Sequence, residues 1–329
     1  MRSKIFEFPE QTAGKWYFLL QSFLPQLLLT FFLIVMVSFL SVTSPHFLKW
    51  ENIRNILDQS ALNIILGTGM ALVICSGGID LSVGAVVALS GVLMALAVKG
   101  GAGAPLAVAA AVMSGAFVGT ANGLLISLLK LNPFIVTLGS MSAVRGLALI
   151  ITGGIPIYGF PPAIVFWGSG NFGPVPSSVV LAGITALAAA FILNWTRLGH
   201  YALSIGGNEE AVRRCGVPVN FYKTVIYIFC GITSALASLN VTARLNTAEP
   251  TAGWLFELDA IATAVLGGAS MRGGEASISG TVIASLTLGV LRNGLTILSI
   301  PSYYQQLAIG LIILTAVIVS EIKQSSTPA

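Results

Sequence analysis

The chain has 329 residues, of which 55% are hydrophobic and only 9% charged, and its mean hydropathy is +0.90. So little charge cannot cover a water-soluble globule of this size, which excludes a soluble enzyme or binding domain and indicates a membrane protein. The formal net charge of +4 implies no nucleic-acid surface, because in a membrane chain the informative quantity is where Lys and Arg flank the spans.

The N-terminus, Met1 to Lys15, carries Arg2, Lys4 and Lys15 ahead of an apolar run from Phe18 to Val42. That run exceeds the roughly 7–15 residues of a signal-peptide core and lacks a small-residue cleavage site, so an uncleaved first span is expected. Ten spans are predicted in all, at 20–42, 61–76, 83–98, 105–129, 133–152, 177–195, 222–243, 258–270, 277–296 and 303–320. The eighth is shorter than a full crossing of about 20 residues, and the second and third join at "GGIDLSVG" without a polar loop. Broken or partial helices are therefore expected, which bilayers tolerate only where protein or a water-filled cavity surrounds the free backbone. The predicted class is an all-α polytopic membrane protein forming one transmembrane domain over 1–329.

An N-terminus in the cytoplasm places ten Lys and Arg inside, four outside (Lys49, Arg54, Lys99, Arg244) and two within spans (Arg145, Arg292). That bias supports cytoplasmic N- and C-termini. An internal echo links "GGIDLSVGAVVALSG" at 77–91, followed by "NGLL", with "GGASMRGGEASISG" at 267–280, followed by "NGLT". Ten spans also divide into two fives of opposite orientation, the inverted-repeat plan of many transporters.

Chemistry within the spans is sparse. A carboxylate at Asp80 costs about 2.5–3.5 kcal/mol on insertion scales unless its surroundings compensate. Gly77 and Gly78 let the chain leave helical geometry, and Asp80 and Ser82 are placed to accept hydrogen bonds from the start of the next helix. An N-cap at a helix break accounts for them, and such a break can also line a pathway. Arg145 and Arg292 lie in apolar runs and need a polar partner, water or a route to the surface. Asn122 and Asn293 suit interhelical hydrogen bonds. In the outer loop "RLNTAEPTAGWLFELD", Arg244, Glu249, Trp254 and Glu257 suit either a solvated loop or a docking surface for an external protein.

The segment 196–222 is the largest polar stretch on the cytoplasmic side. Within it "SIGGNEEAVRRCGVP", 204–218, reads as a short helix. Asn208 is the N-cap, Glu209 and Glu210 stand in the first turn, Arg213 and Arg214 in the last, and Gly216 then Pro218 stop it. So short a helix is marginal alone, and Ala211 and Val212 add small apolar groups suited to a groove on another protein. Cys75, Cys215 and Cys230 lack metal-ligand spacing, and His46 and His200 stand alone. The chain contains no G-x-x-x-x-G-K-[ST], G-x-S-x-G, H-E-x-x-H or C-x-x-C pattern. Two non-permease mechanisms stay open at this point: an ion-coupled transporter using Asp80, and an intramembrane hydrolase pairing Asp80 with Asp259.

The strings "VICSGGIDLSVG", "NGLLISLLKLNPFIVTLGSMSAVRGLALIITGG", "LGHYALSIGGNEEAVRRCGV", "LNTAEPTAGWLFELDAIATAVLGGAS" and "GTVIASLTLGVLRNGL" together resemble the permease subunits of bacterial ABC sugar importers, in the ribose and autoinducer-2 branch. The resemblance covers nearly the whole chain. It implies two permease subunits, alike or different, around a pathway for a ribose-like sugar, a periplasmic sugar-binding protein, and two cytoplasmic ABC ATPases that hold ATP and magnesium. It implies no cofactor in this chain and makes 208–216 the ATPase-coupling helix. Glu210-Ala211-Val212 with Gly216 looks like the E-A-A-x-x-x-G core of other ABC importers, without the Leu-Pro that follows it there. In "RGGEAS", Ala276 stands where the ribose-type pattern has a further glycine.

Overall fold

The computed structural model describes residues 10–325; the basic residues Arg2 and Lys4 lie outside them. In chain order the helices are α1 (Glu10–Thr43), α2 (Trp50–Cys75), α3 (Val83–Lys99), α4 (Ala104–Leu128), α5 (Pro133–Thr152), α6 (Pro162–Ser169), α7 (Ser177–Trp195), α8 (Arg197–Arg214), α9 (Val219–Leu245), α10 (Phe256–Leu266), α11 (Ile278–Ile297) and α12 (Ser302–Ser325). Among the described residues, seven helices are long and apolar enough to cross a bilayer: α1, α2, α4, α5, α7, α9 and α11. The protein is a polytopic, all-α membrane protein. Every predicted span contains a helix, and α3 and α10, with 17 and 11 residues, are the short ones that the broken-helix expectation requires. The only sheet among the described residues consists of two-residue pairs. β1 (Ile157–Tyr158) lies antiparallel to β4 (Thr247–Ala248), and β2 (Asn171–Phe172) to β3 (Val175–Pro176).

Local chemistry sets the boundaries. The side chain of Asn132 accepts from Phe134 N, Pro133 follows at the first helical position, and Gly153, left-handed at φ 63°, ends α5. Ser277 caps α11 by accepting from Gly280 N at 3.1 Å. Thr196 ends α7 and caps α8 through Gly199 N.

α2 is the central helix, its apolar window 72% buried, whereas that of α5 is only 17% buried. Around α2 pack α7, α9, α10 and α11. The outer faces carry exposed Phe117, Ile150 and Leu187, an apolar surface suited to lipid. The α4–α9 seam follows a glycine stripe one helical turn apart. A methyl on Gly115 would lie 2.2 Å from the Gly231 carbonyl, one on Gly119 2.3 Å from that of Tyr227, and one on Gly123 2.6 Å from Thr224 Cα. Backbones this close associate by van der Waals contact, since lipid provides no hydrophobic drive between helices.

Two half-helices meet inside the bundle. A methyl on Gly84, at the start of α3, would lie 2.1 Å from the Gly253 carbonyl, and one on Gly253 2.3 Å from that of Gly84. From this contact α3 runs away from α8, and α10 runs toward it. The two segments of the sequence echo, 77–91 and 267–280, have a different relation: their glycine turns lie side by side, both against α8.

Candidate functional site

Three groups of predicted residues occupy three places. The first is the outer half of α8. Asn208 leaves helical geometry (φ −159°, ψ 93°), and its Oδ1 accepts from Ala211 N at 2.9 Å, so the predicted N-cap is formed. Glu209 pairs with Arg213 at 2.8 Å and Glu210 with Arg214 at 3.1 Å, the favourable Glu-before-Arg spacing. Lys223 Nζ reaches Glu209 Oε2 at 2.5 Å. Burial acts to raise the Glu209 carboxyl, but hydrogen bonds and charge from Lys223 and Arg213 outweigh it and hold it below the usual carboxylate range. Gly216, at φ 80°, turns the chain out of the helix. Glu210, Ala211, Arg214 and Cys215 form the exposed face, while Val212 turns half-inward, so the small apolar group available to a groove is Ala211.

The short helix is not isolated, because Asn208 kinks it from the first half of α8. At that kink a methyl on Gly206 would lie 1.9 Å from the Cys75 carbonyl and 2.4 Å from Gly274 N, and Gly274 N donates to the Cys75 carbonyl at 2.8 Å. The end of α2, the kink of α8 and the α10–α11 loop thus form one backbone joint. Gly77 stands beside it, 3.8 Å from Gly206 Cα if given a methyl.

The second place is the break between α2 and α3. Gly77, at φ 80°, and Gly78 turn the chain. Asp80 is 2% exposed, and its Oδ1 accepts from Ser82 N at 2.9 Å and from Ser82 Oγ at 2.6 Å. Ser82 caps no backbone N–H, contrary to expectation, because its hydroxyl donates to Asp80 and accepts from Asn122 Nδ2 at 2.9 Å. Asn122 is therefore a buried tie between α4 and the break. Thr137 Oγ1 donates to the Ile79 carbonyl at 3.2 Å, and the Cys230 and Tyr227 side chains of α9 enclose the same turn. Backbone in lipid is unstable unless satisfied, and here Ser82 N and the Ile79 carbonyl have side-chain partners and the Cys75 carbonyl a backbone one.

The third place is the turn from α9 into α10. Asn246 (φ 51°) and Leu255 (φ 65°) are both left-handed, and Asn246 Oδ1 accepts from Phe160 N at 2.9 Å. Arg145, expected along a pathway, clamps this turn by donating to the carbonyls of Ala252 and, at 3.4 Å, Pro250. Arg244 and Trp254 are exposed as docking requires, Glu249 is half-buried, and Glu257 lies by Arg145 and Gly84 instead of facing outward. Arg292 pairs with Asp259 at 2.5 Å, which supplies its polar partner. Asn293 exchanges hydrogen bonds with Asn52 at 2.7 and 3.0 Å, locking α11 to α2. Sequence reasoning named Asp259 and Arg292 separately; their 33-residue separation carries no local signal of pairing. Asn240 went unremarked, and inside an apolar helix only its polarity marked it.

A family model described as the permease component of the branched-chain amino acid transport system matches residues 52–317. The chain is 43% identical over 296 residues to the ribose import permease protein of Escherichia coli (strain K12), covering 89% of this chain and 92% of that protein. It is 38% identical over 291 residues to the D-allose transport system permease protein of the same organism, covering 88% and 89%. The L-arabinose ABC transporter permease protein of Azospirillum brasilense is 32% identical over 296 residues, covering 90% and 87%. No solved structure matches.

Proposed function

The chain belongs to the permease subunits of ABC sugar importers, and on that premise we propose that it carries a ribose-like pentose or related monosaccharide into the cytoplasm. It is a multi-pass membrane transport subunit. Its partners in this reading are two ABC ATPases with ATP and magnesium at the cytoplasmic face, a periplasmic sugar-binding protein at Arg244 and Trp254, and a second permease subunit. N- and C-termini lie in the cytoplasm with α8.

The observation that carries the mechanism is the joint at Gly206. ATPase closure displaces the face of Glu210, Ala211 and Arg214. The joint passes that displacement to the end of α2, and so to the Asp80 break, and to the loop that ends α10. One input thereby moves both half-helices that meet at Gly84 and Gly253, in the manner of alternating access. The ion-coupled alternative is not favoured, because Asp80 is committed to Ser82 and enclosed by α9.

The test is ATP-driven sugar uptake by the complex reconstituted with its ATPase and binding protein. Glu210→Ala and Gly216→Val should abolish most uptake while the protein still inserts. Undiminished uptake in both would remove the coupling role, and uptake driven by an ion gradient without ATP would remove the whole reading.

A further inference from the structure

A cavity of about 400 Å³ lies between α2, α9, α10 and α11, lined by Gln59, Asn63, Asn240, Phe256 and Arg292, with Arg244 at its rim. Asn63 and Asn240 are 4% and 2% exposed, so their amides are held inside an otherwise apolar bundle. Asn240 Nδ2 has no hydrogen-bond partner in the protein. An unmatched buried donor costs about 1–3 kcal/mol, a cost that an apolar residue at the same point in the helix would avoid. Asn240 belongs to the cavity wall, so a donor without a partner inside the protein stands at the edge of that space.

The rest of the lining indicates the chemistry of that match. Each carboxamide presents both donors and acceptors, as a hydroxyl does, so three amides around one space suit a molecule dense in hydroxyl groups. The Arg292 charge is already balanced by Asp259 at 2.5 Å, so Arg292 itself makes no demand for an anion. Phe256 supplies an apolar ring for a C–H face. The volume falls at the small end of the range for ligand cavities, about 300–1,000 Å³, and has room for a monosaccharide.

The cavity is also placed to respond to coupling. Phe256 opens α10, Asp259 in its first turn holds Arg292, and the far end of α10 runs into the loop whose Gly274 is fixed to Cys75 beside Gly206. We propose that this cavity is a weak monosaccharide site within the permease chain, in which Asn240, Asn63 and Gln59 bind hydroxyls and Phe256 the carbon face. It rests on the sugar-importer reading above.

The experiment uses the full complex with Cys215→Ser and Leu62→Cys, Leu62 being half-buried on the cavity wall and the remaining cysteines buried. The rate of modification of Cys at 62 by a small methanethiosulfonate reagent is measured with and without millimolar D-ribose, D-allose or L-arabinose, alongside ATP-driven uptake of the same sugars. A transported sugar should slow modification at least threefold. Adding Asn240→Leu should remove that protection, and Asn240→Gln, which keeps the amide, should restore part of it. A complex that imports sugar without any protection overturns the site and leaves the importer reading intact, as does unchanged protection in the leucine variant. A complex that imports none of the three sugars overturns both. Where the leucine variant does not insert, protection in the Leu62→Cys complex decides.

Discussion

The two helix breaks meet the same physical demand in opposite ways. At the α2–α3 break the free backbone and the carboxylate are matched internally: Asp80 takes two hydrogen bonds from Ser82, Ser82 takes one from Asn122, and the set is sealed from solvent. At the α9–α10 break the chain turns through two left-handed non-glycine residues, Asn246 and Leu255. One guanidinium clamps it there, Trp254 is exposed, and a cavity lies alongside. Left-handed conformations at such residues cost roughly 1–3 kcal/mol each and persist only where surroundings hold them. The difference teaches that similar interruptions are held by a sealed internal anchor in one half of the molecule and by a clamp on a partly exposed turn in the other.

Substitutions can break that contrast, and the largest effect belongs to the anchor. Asp80→Ala leaves buried donors of Ser82 unmatched and should destabilise the protein by on the order of 3 kcal/mol, read as a lower unfolding midpoint in detergent. A loss no greater than that of a lipid-facing control such as Leu187→Ala would show that the Asp80 network is not an anchor. Next comes the contact between the breaks. Gly84→Ala drives a methyl to 2.1 Å from the Gly253 carbonyl and should cost about 1–3 kcal/mol through overpacking, with uptake falling further than the amount of folded protein.

Asp259→Asn tests the clamped side. With Arg292 one-third exposed, water screens the charge left behind, so the loss should stay near or below 1 kcal/mol in the same melting measurement; a loss matching that of Asp80→Ala would erase the distinction. The smallest effect is at the helix to which both breaks connect. Because the folded Glu209 carboxyl titrates below its ordinary range, its contribution is present above the ordinary carboxylate pKa and fades as pH falls through the depressed one. A spin label on exposed Cys215 should therefore gain mobility on acidification in the native protein, and in Glu209→Gln should show that mobility already at neutral pH.

Much of this was legible in the sequence wherever the signal is local. Apolar run length found a helix at each of the ten predicted spans, and Asn208 and Gly216 marked helix ends because capping depends on residues within a turn or two. Asp80 was legible as a cap for the same reason. What escaped depends on distant partners. The Ser82 hydroxyl was assigned to backbone because Asn122, 40 residues on, was invisible to spacing. Arg145 and Arg292 were recognised as needing partners, but the Ala252 carbonyl and Asp259 become neighbours only when α5 meets the α9–α10 turn and α11 packs on α10. Gly84 and Gly253 look like ordinary glycines until the two half-helices meet, and the echo of 77–91 in 267–280 marked two turns at one joint.

That joint constrains how the molecule can be deformed. With the Cys75 carbonyl occupying the space a methyl on Gly206 would need, and Gly274 N–H holding the same carbonyl, there is no slack among three segments far apart in the chain. A displacement of one by an ångström cannot be absorbed by side-chain repacking, because no side chain lies between them. On the coupling reading proposed above, the joint is a hinge pin that passes movement at the protein surface to the end of α2 and to the α10–α11 loop.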